Sequence, residues 1–131
     1  MKITRAAVLF AVLVGAMDLG TGLGLVAVPV WTLQRMGVPV PNVEALLFVR
    51  FVGAFVGAVG AVYLWAVRKS SDRLRIVFGA TILLRLSAGA FVAGAVWLQA
   101  MPAAWLAVTA TDWTVAGVQA WLLARGTNRH E

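Results

Sequence analysis

The sequence predicts an all-α protein: an integral membrane four-helix bundle, up-down-up-down, with both termini cytoplasmic. Three observations carry this reading. Of the 131 residues, 62% are hydrophobic and 12% charged, against about 25% charged in ordinary soluble domains; mean hydropathy is +0.91. The apolar residues form runs long enough to cross a bilayer, broken by short turns. The basic residues gather at one set of helix ends. A chain of this length is one domain, and residues 1–131 read as a single transmembrane domain.

The first helix is placed at about 4–22. Lys2 and Arg5 followed by AAVLFAVLVGAM have the form of a signal peptide, with Ala16 near a weak cleavage site. The stretch is read instead as a membrane helix, interrupted near its far end by Asp18. Gly15 and Gly22 share the face of Asp18, and the GTGLG run at 20–24 is expected to loosen or end the helix. Residues 23–42 contain Pro29, Gly37, Pro39 and Pro41, too broken for a second full span. They are expected to form an outer loop or a short interfacial segment.

The second long helix is placed at about 43–67, with Asn42 as its N-cap and Glu44 in its first turn. Its run LLFVRFVGAFVGAVGAVYLW (46–65) carries Arg50, Gly53, Gly57 and Gly60 on one helical face. Glycines let another backbone approach closely, and an intramembrane arginine turns toward protein, water or a counter-charge. That face is expected to pack inside the bundle. A serine or Asp72 in the turn caps the third helix, about 74–99, which carries Arg85 with Gly89 one turn on. Met101-Pro102 opens the fourth helix, about 103–124, which carries Asp112 and ends near Gly126. GAFV recurs at 53–56 and 89–92, a compositional echo.

Orientation follows from the flanks. Lys2, Arg5, Arg68, Lys69, Arg73, Arg75, Arg125 and Arg129 lie on one side and Arg35 alone on the other, the positive-inside pattern. Trp31, Trp97 and Trp105 suit the outer interface, and Tyr63, Trp65 and Trp121 the inner one. The implied location is the bacterial cytoplasmic (inner) membrane, multi-pass.

Several chemistries lack their residues. With no cysteine there is no disulfide, thiolate metal site or cysteine nucleophile. The sole histidine, His130, is next to last, so a His-ligated haem or metal inside a bundle has no ligand. The excess of 11 Lys and Arg over 5 Asp and Glu is a topology signal here, not a nucleic-acid footprint, although the 68–75 turn would also attract anionic lipid.

Each predicted helix brings one ionisable residue toward similar depth: Asp18, Arg50, Arg85 and Asp112. Arg50–Asp and Arg85–Asp pairing is expected, since an unpaired buried charge is far costlier than a paired one; which acid meets which arginine stays open. Trp105, Thr109, Asp112, Ala116 and Gln119 recur at helical spacing on the fourth helix. With Thr21 and Gln99 at nearby depth they outline a polar pocket in the outer half. Such a network either fixes helix register only or binds a small polar or anionic headgroup, lipid or quinone. No catalytic residue, cofactor or metal ligand is assigned.

The runs at 46–65 and ILLRLSAGAFVAG at 82–94 resemble the second and third helices of a family of small bacterial four-helix membrane proteins of the domain-of-unknown-function 4345 type, loosely DoxX-like. The resemblance covers about half of the chain. It implies a four-helix bundle and no particular reaction, substrate or catalytic residue. Three functions are compatible with these features, in this order: a non-catalytic subunit or scaffold of a larger membrane assembly, a small transporter or lipid- or quinone-binding protein, and a membrane enzyme using Asp18 or Asp112. The expected partners are the lipid bilayer and other membrane proteins or further copies of the chain, with no nucleic acid.

Overall fold

The computed structural model describes residues 4–127. Lys2, Arg129 and His130, invoked above, lie outside the described residues. Among those described there are five α-helices, one 3-10 turn and no strand. The helices are α1 (Arg5–Ala27), α2 (Pro29–Arg35), α3 (Val43–Lys69), α4 (Ser71–Trp97) and α5 (Leu106–Thr127), with the 3-10 turn at Ala103–Trp105. Three of them, α1, α3 and α4, are long and apolar enough to cross a membrane. The fourth long helix, α5, is diluted by Asp112, Gln119 and its threonines.

The elements start where cap chemistry predicts. Thr4 accepts from the Ala7 amide, Asn42 from Ala45 at 2.9 Å and Ser70 from Arg73, each satisfying an orphan first-turn donor. Ser70 alone separates α3 from α4, so the reversal there is abrupt. The 23–42 segment holds the short helix α2, ended by Gly37 at φ +71°. Gln99 takes a left-handed φ of 57° in the turn after α4, a conformation that favours glycine.

The largest departure from the expected helix ends is in α1. The GTGLG run does not end the first helix, which continues to Ala27. A glycine inside a membrane-type helix serves as a packing surface, and here Gly22 lies directly on Gly57. The stop comes from Pro29, which has no amide to offer the carbonyl of Leu25.

The helices associate as two tight antiparallel pairs, α1 with α3 and α4 with α5. In the first pair backbone lies on backbone. A Cβ at Gly15 would sit 3.0 Å from the Gly60 carbonyl, one at Gly53 2.9 Å from that of Gly22, and one at Gly60 within 2.6 Å of Gly15 O and against Leu19 N. The second pair is stitched by Thr109 Oγ1 donating to Gly89 O at 3.0 Å and by the Trp113 indole, which occupies the space a Gly89 side chain would need.

Between the pairs the contact is made by side chains. At the Arg5 end it is apolar: Ala7, Ala11 and Val14 of α1, Tyr63 and Ala66 of α3, Leu74, Val77 and Phe78 of α4 and Val115 of α5 form one buried cluster. Phe10 and Tyr63 both meet the Phe78 ring at 6.0 Å between centroids. At the Pro29 end a second cluster of Leu25, Leu33 and Val38 seats α2 against Leu46, Val49 and Trp105.

Candidate functional site

Above the apolar cluster the seam between the pairs becomes polar. Arg85 on α4 is buried at 7% exposure and holds two carboxylates. Its Nη2 donates to Asp18 Oδ2 on α1, and its Nη1 to Asp112 Oδ1 on α5 at 2.7 Å. Their shared level follows from helix geometry. Asp18 is thirteen residues from Arg5, Arg85 fourteen from Ser71 and Asp112 thirteen from Arg125, so each lies about 20 Å from the same end at about 1.5 Å per residue.

One turn toward the Arg5 end lies a neutral network that the sequence reading missed as a unit. Tyr63, Thr81 and Gln119 are buried, Tyr63 and Gln119 at 0% exposure. Thr81 Oγ1 donates to the Val77 carbonyl at 2.7 Å, which leaves Tyr63 O–H to donate to Thr81 Oγ1, also at 2.7 Å. The Gln119 amide donates to Thr81 Oγ1 at 2.9 Å and also to Tyr63 Oη. The Arg85 guanidinium lies 5.9 Å above the Tyr63 ring, within cation–π range, so the ring joins the neutral and charged levels. Tyr63, expected at a membrane interface, is fully buried between the helices. The available signal was its position three residues after Gly60, which continues the stripe of Gly53, Gly57 and Gly60.

Arg50 does not join the charged cluster, contrary to the expected four-member site. It is exposed, and its Nη1 donates to the carbonyl of Val26 in the last turn of α1. The glycine packing explains this. It sets Arg50 level with Val26, eight residues beyond Asp18, or about 12 Å along α1. At that level α1 has no basic residue of its own, and Pro29 leaves it short of donors. Arg50 therefore compensates the negative end of the α1 dipole from the neighbouring helix. The similar depth expected for the four charged residues therefore does not hold for Arg50.

The remaining candidates divide clearly. Gly53, Gly57 and Gly60 are buried against α1. Thr109 is buried on α5 but bonds the Gly89 backbone, not the ion pair, and Gln119 belongs to the neutral network. Thr21 is half-buried, and Gln99 is exposed in its turn. An open depression lined by Asp72, Arg75, Ile76, Leu123 and Ala124 lies at the Arg5 end, about 15 Å along α4 from Arg85. Among the described residues no three His, Cys, Asp or Glu side chains converge as metal ligands.

These observations define a membrane-type helical protein with three candidate spans and a buried salt bridge shared by two carboxylates. Compared with known proteins, the chain matches no family model, no curated protein and no solved structure.

Proposed function

We propose that the protein is a non-catalytic subunit or scaffold of a larger assembly in the bacterial cytoplasmic membrane, of the four-helix kind that its sequence resembles. The observation that carries this reading is the surface of α3. It has the highest mean hydropathy of the three candidate spans, 2.1, yet only 11% of its apolar stretch is buried within the chain, against 33% for α1 and α4. Leu47, Phe48, Phe51 and Phe55 are each at least 60% exposed, so lipid or a partner helix must cover them. The Arg85 guanidinium, by contrast, is engaged within the chain and ties α1, α4 and α5 together.

The proposed arrangement is an up-down-up-down bundle with cytoplasmic termini. Its support is that Arg5, the Trp65–Arg73 stack at 5.0 Å and the Trp121–Arg125 stack at 4.1 Å belong to one set of helix ends, with the Trp31–Arg35 stack at the other. Stacked Trp and Arg suit the level of lipid headgroups. A second reading, a lipid- or quinone-handling protein or small transporter, is favoured by Arg50, whose exposed guanidinium has donors to offer a headgroup phosphate.

Purification from its native membrane in a mild detergent tests the first reading. A stoichiometric partner set is expected; an isolated small particle carrying only lipid contradicts the subunit role and favours the second reading.

A further inference from the structure

The charged cluster does not balance. With Arg50 about 12 Å away along α1, Asp18 and Asp112 share the single guanidinium of Arg85. Every long helix contributes to the surroundings: Asp18 from α1, Tyr63 from α3, Arg85 from α4 and Asp112 from α5. Two ionised carboxylates against one guanidinium leave one surplus negative charge. The Asp18 and Arg85 side chains are exposed by only 8% and 7%, and that of Asp112 by 17%. Inside a bilayer a charge so placed is costly, and a buried group tends to neutralise before it persists unpaired.

A second observation points to the same place. Arg85 Nε and Gln119 Oε1 are buried without a hydrogen-bond partner. One is a donor and the other an acceptor. They lie one helical turn apart in level, since Gln119 bonds Thr81, one turn from Arg85 on α4. Buried polar atoms of this kind are the places where ordered water sits. Water accepting from Arg85 Nε–H, or donating to Gln119 Oε1, would satisfy these atoms and bring a proton carrier to the cluster.

We propose that Asp18 and Asp112 together hold one exchangeable proton against Arg85, making this seam a proton-binding site. The step is an addition without other bond change: hydronium gives its proton to one carboxylate oxygen and leaves as water. The protonated acid keeps its bond to Arg85 through its carbonyl oxygen, and the cluster becomes neutral. The inference rests on the membrane placement proposed above and is independent of the subunit role.

Infrared spectroscopy of the full chain in lipid nanodiscs tests it. At neutral pH the spectrum should contain the carbonyl stretch of a protonated carboxylic acid that shifts in heavy water. Asp18→Asn and Asp112→Asn each remove the surplus charge, so either alone should abolish the band while the protein melts close to the parent. Asp112→Glu should move the band without removing it. A parent spectrum without the band at neutral pH overturns the proposal, and a band unchanged in both Asn variants assigns it elsewhere and overturns it equally. Stabilisation by sodium ions in the absence of the band would give the surplus charge to an alkali cation, which also overturns it. Should an Asn variant fail to fold, the parent spectrum and the Asp112→Glu shift decide. Failure of the protein to float with lipid vesicles would sink the membrane placement instead, whatever the spectrum.

Discussion

The seam between α1 and α3 and the seam between that pair and α4/α5 join helices by opposite means. In the first, Gly15, Gly22, Gly53 and Gly60 bring two backbones into contact, and no polar side chain bridges them among the described bonds apart from Arg50 at the end of α1. In the second, the helices stay further apart and reach across with Phe78 at one level, Tyr63, Thr81 and Gln119 at the next, and Asp18, Arg85 and Asp112 above. Backbone contact has almost no slack, because a glycine seam cannot be repacked by rotating a side chain. A seam of long side chains can lose one link and keep the others. The two should therefore fail differently: the glycine seam by crowding, the polar seam by charge.

The largest effect is expected at Arg85. Arg85→Leu strands two carboxylates in the seam, and removing one side of a buried ion pair typically costs about 3–5 kcal/mol. Thermal melting in lipid should show it. A melt like that of the parent would mean that the pairs are joined by their apolar contacts alone.

The next largest distinguishes glycines within one stripe. A Cβ at Gly60 meets the backbone of Leu19 and Gly15, whereas one at Gly57 finds its nearest neighbour, Gly22 Cα, at 3.6 Å. Gly60→Ala should destabilise by about 1–3 kcal/mol through overpacking, and Gly57→Ala should be tolerated. Equal melting of the two would contradict the close approach of α1 and α3.

Gln119→Leu should cost less, about 1 kcal/mol, because Tyr63 and Thr81 keep their bond to each other when the amide is lost. A loss as large as that at Arg85 would shift the weight of the seam from the charged level to the neutral one. The smallest effect is expected away from both seams. Gly79 and Gly117 lie on α4 and α5 with nothing within 4 Å of an added Cβ. Alanine at either should change stability by no more than about 1 kcal/mol, toward stabilisation from helix propensity.

The glycine face of α3 was legible in the sequence, because Gly53, Gly57 and Gly60 recur at helical spacing and need no knowledge of the partner. The capping residues Asn42 and Ser70 were legible for the same reason, since a cap acts within its own first turn. The fate of Arg50 was not. Its depth depends on how far α3 slides along α1, and that register is set by which glycine meets which. The role of Tyr63 was not legible either, because a general preference for aromatic residues at membrane interfaces says nothing of a hydroxyl that meets both Thr81 and Gln119. The balance of the charges changed with Arg50: four residues that sum to zero became three that do not.

The tie across the seam is the central claim, and a double-mutant cycle on Asp18 and Arg85 tests it most directly. Asp18→Ala, Arg85→Ala and the double variant would be unfolded reversibly in the same lipid and compared with the parent. Removing Asp18 should cost much less once Arg85 is gone, giving a favourable coupling of about 0.5–3 kcal/mol, the range for residues in one network. Strictly additive losses, with no coupling between the two positions, would contradict the account.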